Sequence, residues 1–280
     1  MFTTLINPQQ LASLINTDGG NLVILDCRFN LMDTEQGQRL YSEGHIPGAR
    51  YVHLDNDLSS PITPDSGRHP LPGFDELSGK LSRWGIDADT QVVVYDDCAG
   101  AMAGRAWWLL RLLGFSRAAV LDGGFPAWLA AEGAITTALP ETLHTDPVAA
   151  PSKQQAQSQI QMLASVSQVE SLQADQLLVD ARTPERYRGE QEPIDPVAGH
   201  IPGAVNRPLQ RNLDSQGLFK SAVQLKIEWL ALLGDKSSDD VIHYCGSGVT
   251  ACHNYLAMEV AGLTGSRIYA GSWSEWIRNH

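Results

Sequence analysis

Gly44-His45-Ile46-Pro47-Gly48-Ala49 returns residue for residue as Gly199-His200-Ile201-Pro202-Gly203-Ala204, 155 positions later. The surroundings repeat as well. Upstream, Leu22-Val23-Ile24-Leu25-Asp26-Cys27-Arg28 matches Leu177-Leu178-Val179-Asp180-Ala181-Arg182, an apolar run ending in Asp-x-Arg that predicts a buried strand entering a polar turn. Downstream, Gln91-Val92-Val93-Val94-Tyr95-Asp96 pairs with Asp240-Val241-Ile242-His243-Tyr244-Cys245. Helical stretches ending at Leu113-Gly114 and Ala261-Gly262 follow, and Gly123-Gly124-Phe125-Pro126-Ala127-Trp128-Leu129 and Gly271-Ser272-Trp273-Ser274-Glu275-Trp276-Ile277 close each half. Unrelated loops of similar composition would not keep five elements in one order at offsets of 148 to 155. The chain is a duplication.

Length agrees, since 280 residues are enough for two domains that each bury a core. Short β-branched apolar runs alternate with amphipathic helical segments in each copy. That predicts α/β architecture, two tandem domains each with a central, mostly parallel sheet flanked by helices. The expected boundaries are 1–135 for a non-catalytic copy, 136–160 for a linker rich in Pro, Gln, Ala and Ser, and 161–280 for a catalytic copy. A hydrophobic fraction of 43% and a charged fraction of 19% fit a soluble globular chain, and no apolar run suggests a membrane partner. The net charge of -12, from 20 Lys plus Arg against 32 Asp plus Glu, argues against nucleic acid but leaves room for a small anionic substrate held by local arginines. Met1 to Asn16 lacks the basic head and apolar stretch of a secretory signal, so a cytoplasmic location is expected.

The four cysteines, Cys27, Cys98, Cys245 and Cys252, show no CxxC pair and no zinc spacing, so free thiols are expected and no metal. Cys245 stands apart. It ends a predicted strand and is followed by Gly246-Ser247-Gly248-Val249-Thr250 and then a helix. The carboxyl end of a parallel strand is where α/β sheets carry their sites. The glycines let backbone N–H groups curl inward, and the helix aims its positive end at the same spot, a cradle for a thiolate and for any anion on its sulfur. An inert strand-end cysteine would not need that loop. Cys27, Cys98 and Cys252 read as packing. The first copy has Asp96 at the position of Cys245, so only the second copy carries the nucleophile.

These repeats and the Cys245 loop together resemble the tandem-domain rhodanese family, and the loop looks like that of its 3-mercaptopyruvate sulfurtransferases. The resemblance implies that Cys245 accepts sulfane sulfur as a persulfide and passes it to cyanide or to a thiol, either small or on a thioredoxin-like protein. It implies no organic cofactor. Thiosulfate-specific members place basic side chains directly after the cysteine, whereas Gly246 and Ser247 are neutral. By the same resemblance Ser247 works with Asp55 and His69, and Arg186 binds the donor's carboxylate. A guanidinium can bond both oxygens at once. The family's second arginine falls in a Glu-Pro-Arg, but Glu192-Pro193-Ile194 stands here; either Arg188 substitutes, or the donor is held more weakly or is a different one.

Three other readings compete. Thiosulfate as the donor would make the chain a thiosulfate sulfurtransferase. A cysteine-dependent phosphatase needs an arginine closing the loop to stabilise phosphate, and the sixth residue after Cys245 is Ala251. A non-catalytic sulfur-binding module would be marked by loss of the nucleophile, which Cys245 contradicts.

Overall fold

The runs that end in Asp-x-Arg form inner strands of two parallel sheets. The computed structural model describes residues 1–17, 21–140 and 160–280. The chain divides into two units, one taking Met1–Ser60 and the chain from Pro72 up to the residue before Ile160, the other Pro61–Leu71 and Ile160–His280. Pro61–Leu71 therefore belongs to the second unit, although in sequence it lies inside the first copy. Most of the expected linker, 141–159, falls outside the described residues.

In the first unit the strands are β1 (Leu5–Ile6), β2 (Leu22–Asp26), β3 (Arg50–Tyr51), β4 (Gln91–Tyr95) and β5 (Ala118–Leu121), in the order β1-β5-β4-β2-β3. The second unit has β6 (Leu177–Asp180), β7 (Val205–Asn206), β8 (Val241–Tyr244) and β9 (Arg267–Ile268), in the order β7-β6-β8-β9. The orders match, β9-β8-β6-β7 answering β5-β4-β2-β3, and every strand pair is parallel. In place of β1 the second unit has one parallel bridge, Leu163 to Ile268. All residues of β4 and β8 are buried, as expected of central strands covered on both faces. The helices Ala103–Leu112 and Ala251–Val260 follow them, each stopped near a glycine in the left-handed region, Gly114 at φ +91° and Gly262 at φ +71°. Among the described residues no helix is long and apolar enough to cross a membrane.

The duplicated hexapeptides do the same work in both units. Arg28 pairs with Asp26 and donates to the Gly44 carbonyl at 2.8 Å, while Arg182 pairs with Asp180 and donates to Gly199 at 2.7 Å. Tyr41 and Tyr187 donate to the carbonyls of Ala49 and Ala204 and stack on His45 and His200, with ring centroids 3.9 Å apart in each case. The turn needs a left-handed residue, Gly48 at φ +79° and Gly203 at φ +82°, which glycine adopts without strain. These buried ion pairs are hydrogen-bonded within each pair and to the turn carbonyl, and such pairs specify a turn more than they add net stability.

Candidate functional site

Past β8 the chain runs through 245–250 and enters the helix Ala251–Val260. Trp273 and Ser274 donate their backbone N–H groups to the carbonyls of Cys245 and Gly246 at 3.0 and 2.8 Å, and the Cys245 N–H donates to Ser272 Oγ at 3.1 Å. Gly248 has φ +76°, and a Cβ there would lie 2.1 Å from the Ala270 carbonyl oxygen. Both the conformation and the contact require glycine. Val249 is buried, and Thr250 precedes the first turn of the helix without its side chain capping it.

The Cys245 thiol is 1% exposed. Burial alone would raise its pKa, but hydrogen bonds from the Thr250 hydroxyl and the backbone N–H groups of Ser247 and Ala251 outweigh that and hold it below the ordinary value. Cys27 and Cys98 move the opposite way. Burial, with Asp26 for Cys27 and Asp96 for Cys98, pushes both up. Cys252 lies inside the helix with Sγ 3.5 Å from the Gly248 carbonyl. Cys245 is the thiol whose surroundings favour the thiolate, the nucleophilic form.

The first unit shows what the same loop does without a cysteine. Asp96 Oδ1 accepts the N–H groups of Cys98 and Gly100 at 3.0 and 2.8 Å, and Oδ2 those of Met102 and Ala103, both at 2.8 Å. At the offset of 149 that relates Asp96 to Cys245, Cys98 and Met102 correspond to Ser247 and Ala251. The amides that hold the sulfur in one unit hold a built-in carboxylate in the other.

His69 reaches the loop from Pro61–Leu71. Its Nδ1 is 2.7 Å from Ser247 Oγ, and both side chains are buried. The segment is fixed to the second unit at several points. Arg278 Nη1 donates to the Thr63 carbonyl at 2.9 Å, the Arg68 N–H donates to Ser274 Oγ at 3.0 Å, and a Cβ on Gly67 would meet the Gly271 oxygen at 2.6 Å. Asp55 lies in the first unit, in the first turn of the short helix Leu54–Asp57, whose N-terminus is capped by the His53 ring. Burial pushes its carboxyl up, against the pull of His53.

Arg186 donates to Glu192 at 2.7 Å and to Asp195 at 3.3 Å through Nη2, and its Nη1 lies 3.6 Å from where a Cβ on Gly246 would be. Arg188, expected beside it, is instead half exposed and paired with Glu190 at 2.7 Å. The second guanidinium against Gly246 is that of Arg68, with Nη2 3.0 Å from the same point and Nη1 bonded to Asp195. Sequence reading missed Arg68 because its place depends on Pro61–Leu71 packing against the second unit. Arg188 carried a legible warning, since residues two apart on a helical turn face different sides.

Known proteins agree with this architecture. A family model described as a rhodanese-like domain matches residues 7–131 and 165–279. The chain is 47% identical to the probable 3-mercaptopyruvate sulfurtransferase of Pseudomonas aeruginosa, over 98% of this chain and 94% of that protein. It is 40% identical to the putative thiosulfate sulfurtransferase SseB of Mycobacterium tuberculosis, over 97% and 93%. The crystal structure of SseA from Escherichia coli, a 3-mercaptopyruvate sulfurtransferase, superposes with a TM-score of 0.79 at 27% identity, covering 98% of this chain and all of that one. Two matched domains, a shared strand order and identity along nearly the whole length make this chain a member of the rhodanese family, an enzyme of the sulfurtransferase class.

Proposed function

We propose that the enzyme moves sulfane sulfur from 3-mercaptopyruvate through a Cys245 persulfide to a thiol, small or on a thioredoxin-like protein, or to cyanide. The Cys245 thiolate attacks the donor sulfur and the carbon–sulfur bond breaks. Its electron pair goes to the methylene carbon of the departing enolate, which takes the proton formerly on the donor sulfur and leaves as pyruvate. The acceptor then attacks the outer sulfur and returns the thiolate. Ser247 and His69 relay the proton, with Asp55 assigned to the same group, and Gly246, Gly248, Val249 and Thr250 hold the persulfide among loop amides. Arg186 seats the donor carboxylate.

The contact between Ser247 and His69 carries this reading, because it puts an imidazole, a side chain able to give and to take a proton, on the loop hydroxyl. The relatives named for each donor support the class of reaction. Thiosulfate is the second reading, favoured by the two guanidiniums beside Gly246, which suit a sulfonate as well as a carboxylate. The four free cysteines support a reducing compartment and thus a cytoplasmic location. Steady-state kinetics on both donors decide the matter. A specificity constant for thiosulfate equal to or above that for 3-mercaptopyruvate sinks the first reading, and full activity in Cys245→Ser sinks the nucleophile.

A further inference from the structure

We propose that Arg68, carried by the Pro61–Leu71 segment, is the second cation of the donor-carboxylate seat, and that Asp195 positions it. The inference rests on 3-mercaptopyruvate as donor and deepens that reading. Ile194 offers no charge, and Arg188 is committed to Glu190 at the surface. Arg68 Nη2 and Arg186 Nη1 bond to no described residue, and both lie against Gly246, the residue after the nucleophile. Their side chains are 19% and 17% exposed, open enough to meet a small anion and shielded enough for the contact to matter.

The arginines are held by carboxylates on the side away from the loop. Asp195, 7% exposed, accepts from Arg68 through Oδ1 and from Arg186 through Oδ2. Glu192 accepts from Arg186 and from Arg182, which in turn pairs with Asp180. The result is an alternating row, Arg68, Asp195, Arg186, Glu192, Arg182, Asp180. It fixes two guanidiniums with donor groups left over toward the same spot, an arrangement suited to a planar carboxylate. Arg68 and His69 are neighbours in sequence, so one docked segment supplies both the charge that seats the donor and the ring that meets Ser247.

The test compares wild type, Arg68→Met and Arg68→Lys in pyruvate release from 3-mercaptopyruvate with cyanide as acceptor, alongside calorimetric binding of pyruvate to the same proteins with Cys245→Ser. Losing one charge-assisted contact raises the Michaelis constant for the donor about tenfold to hundredfold in Arg68→Met. Turnover and the Michaelis constant for cyanide stay within a few fold, pyruvate binding weakens in parallel, and Arg68→Lys recovers part of the loss. A donor Michaelis constant and pyruvate affinity within twofold of wild type in Arg68→Met overturn the proposal. So does an equal fall in turnover with both substrates, the mark of a purely structural role. A wild type that releases no pyruvate overturns the donor reading and this proposal together, and is distinguishable because it shows before any variant is compared.

Discussion

His69 and Ser247 are 178 positions apart in sequence, yet Nδ1 of one lies 2.7 Å from Oγ of the other, with both side chains buried. A hydroxyl beside an imidazole can pass a proton in either direction. Ser247→Ala and His69→Gln should each slow pyruvate formation in a single turnover by on the order of a hundredfold, with less effect on transfer from the persulfide to cyanide. Because the two side chains act as a unit, the double variant should be no slower than the slower single one. Fully additive losses would separate their roles.

Arg186 and Arg188 should differ sharply. Arg186 faces Gly246 and Arg188 pairs with Glu190 in the open, where an ion pair contributes about 0 to 1 kcal/mol. Arg186→Ala is expected to raise the Michaelis constant for 3-mercaptopyruvate at least tenfold, consistent with loss of a charge-assisted contact of about 1.5 to 3 kcal/mol. Arg188→Ala should leave it within about twofold. The reverse ranking would place the donor elsewhere.

The depressed pKa of Cys245 has an identifiable donor to remove. Thr250→Val deletes a hydroxyl that stabilises the thiolate, so the pKa should rise. At a fixed pH on the acidic limb the thiolate fraction falls. The rate of Cys245 alkylation against pH, followed by mass spectrometry, should shift to higher pH in the variant. An unshifted curve would show that the amides of Ser247 and Ala251 suffice.

What was legible in the sequence was local or repeated. The hexapeptides, the Asp-x-Arg ends and the Cys245 loop each lie within about ten residues, and duplication let one copy vouch for the other. The parallel sheets follow from those runs. Arg68 was illegible because it depends on Pro61–Leu71 grouping with the second unit, a tertiary choice that no periodicity encodes. The capture of four amides by Asp96 was hidden for a related reason. The sequence showed a carboxylate where the nucleophile would stand, but only the folded loop shows where the carboxylate's bonds go.

His243, in the central strand β8, is fully buried, with its ring edge-on to Trp229 at 5.5 Å. Burial, with the nearby Arg207 charge, pushes its pKa down from 6.5 to about 3. The folded chain therefore holds it neutral while the unfolded chain protonates it below about 6.5. The unfolded state binds more protons in that window, so stability falls as pH drops from 6.5 toward 3. His243→Leu should make the unfolding free energy less steep in pH there, by up to about 1.4 kcal/mol per pH unit. Denaturant melts at several pH values would read it, and an unchanged slope would refute the buried neutral ring.

Asp96 is the last test, because it asks whether the first unit's loop is still an anion site. Its carboxylate accepts four backbone N–H groups at 2.8 to 3.0 Å and is fully buried. Asp96→Ala leaves those donors facing an empty space, at a cost of about 3 kcal/mol or more. Asp96→Asn should also destabilise, since its NH2 group would face N–H donors where Oδ1 or Oδ2 now accepts. The amides themselves remain aligned at the start of the helix Ala103–Leu112, so a small anion from solution should refill the cradle. Added chloride or sulfate is then expected to raise the unfolding midpoint of Asp96→Ala in a saturable way, as a ligand of the folded state does, against a smaller unsaturable rise in wild type. Equal salt responses in the two proteins would mean that the loop collapses without its carboxylate, and that the amides are held in place by Asp96 rather than by the fold.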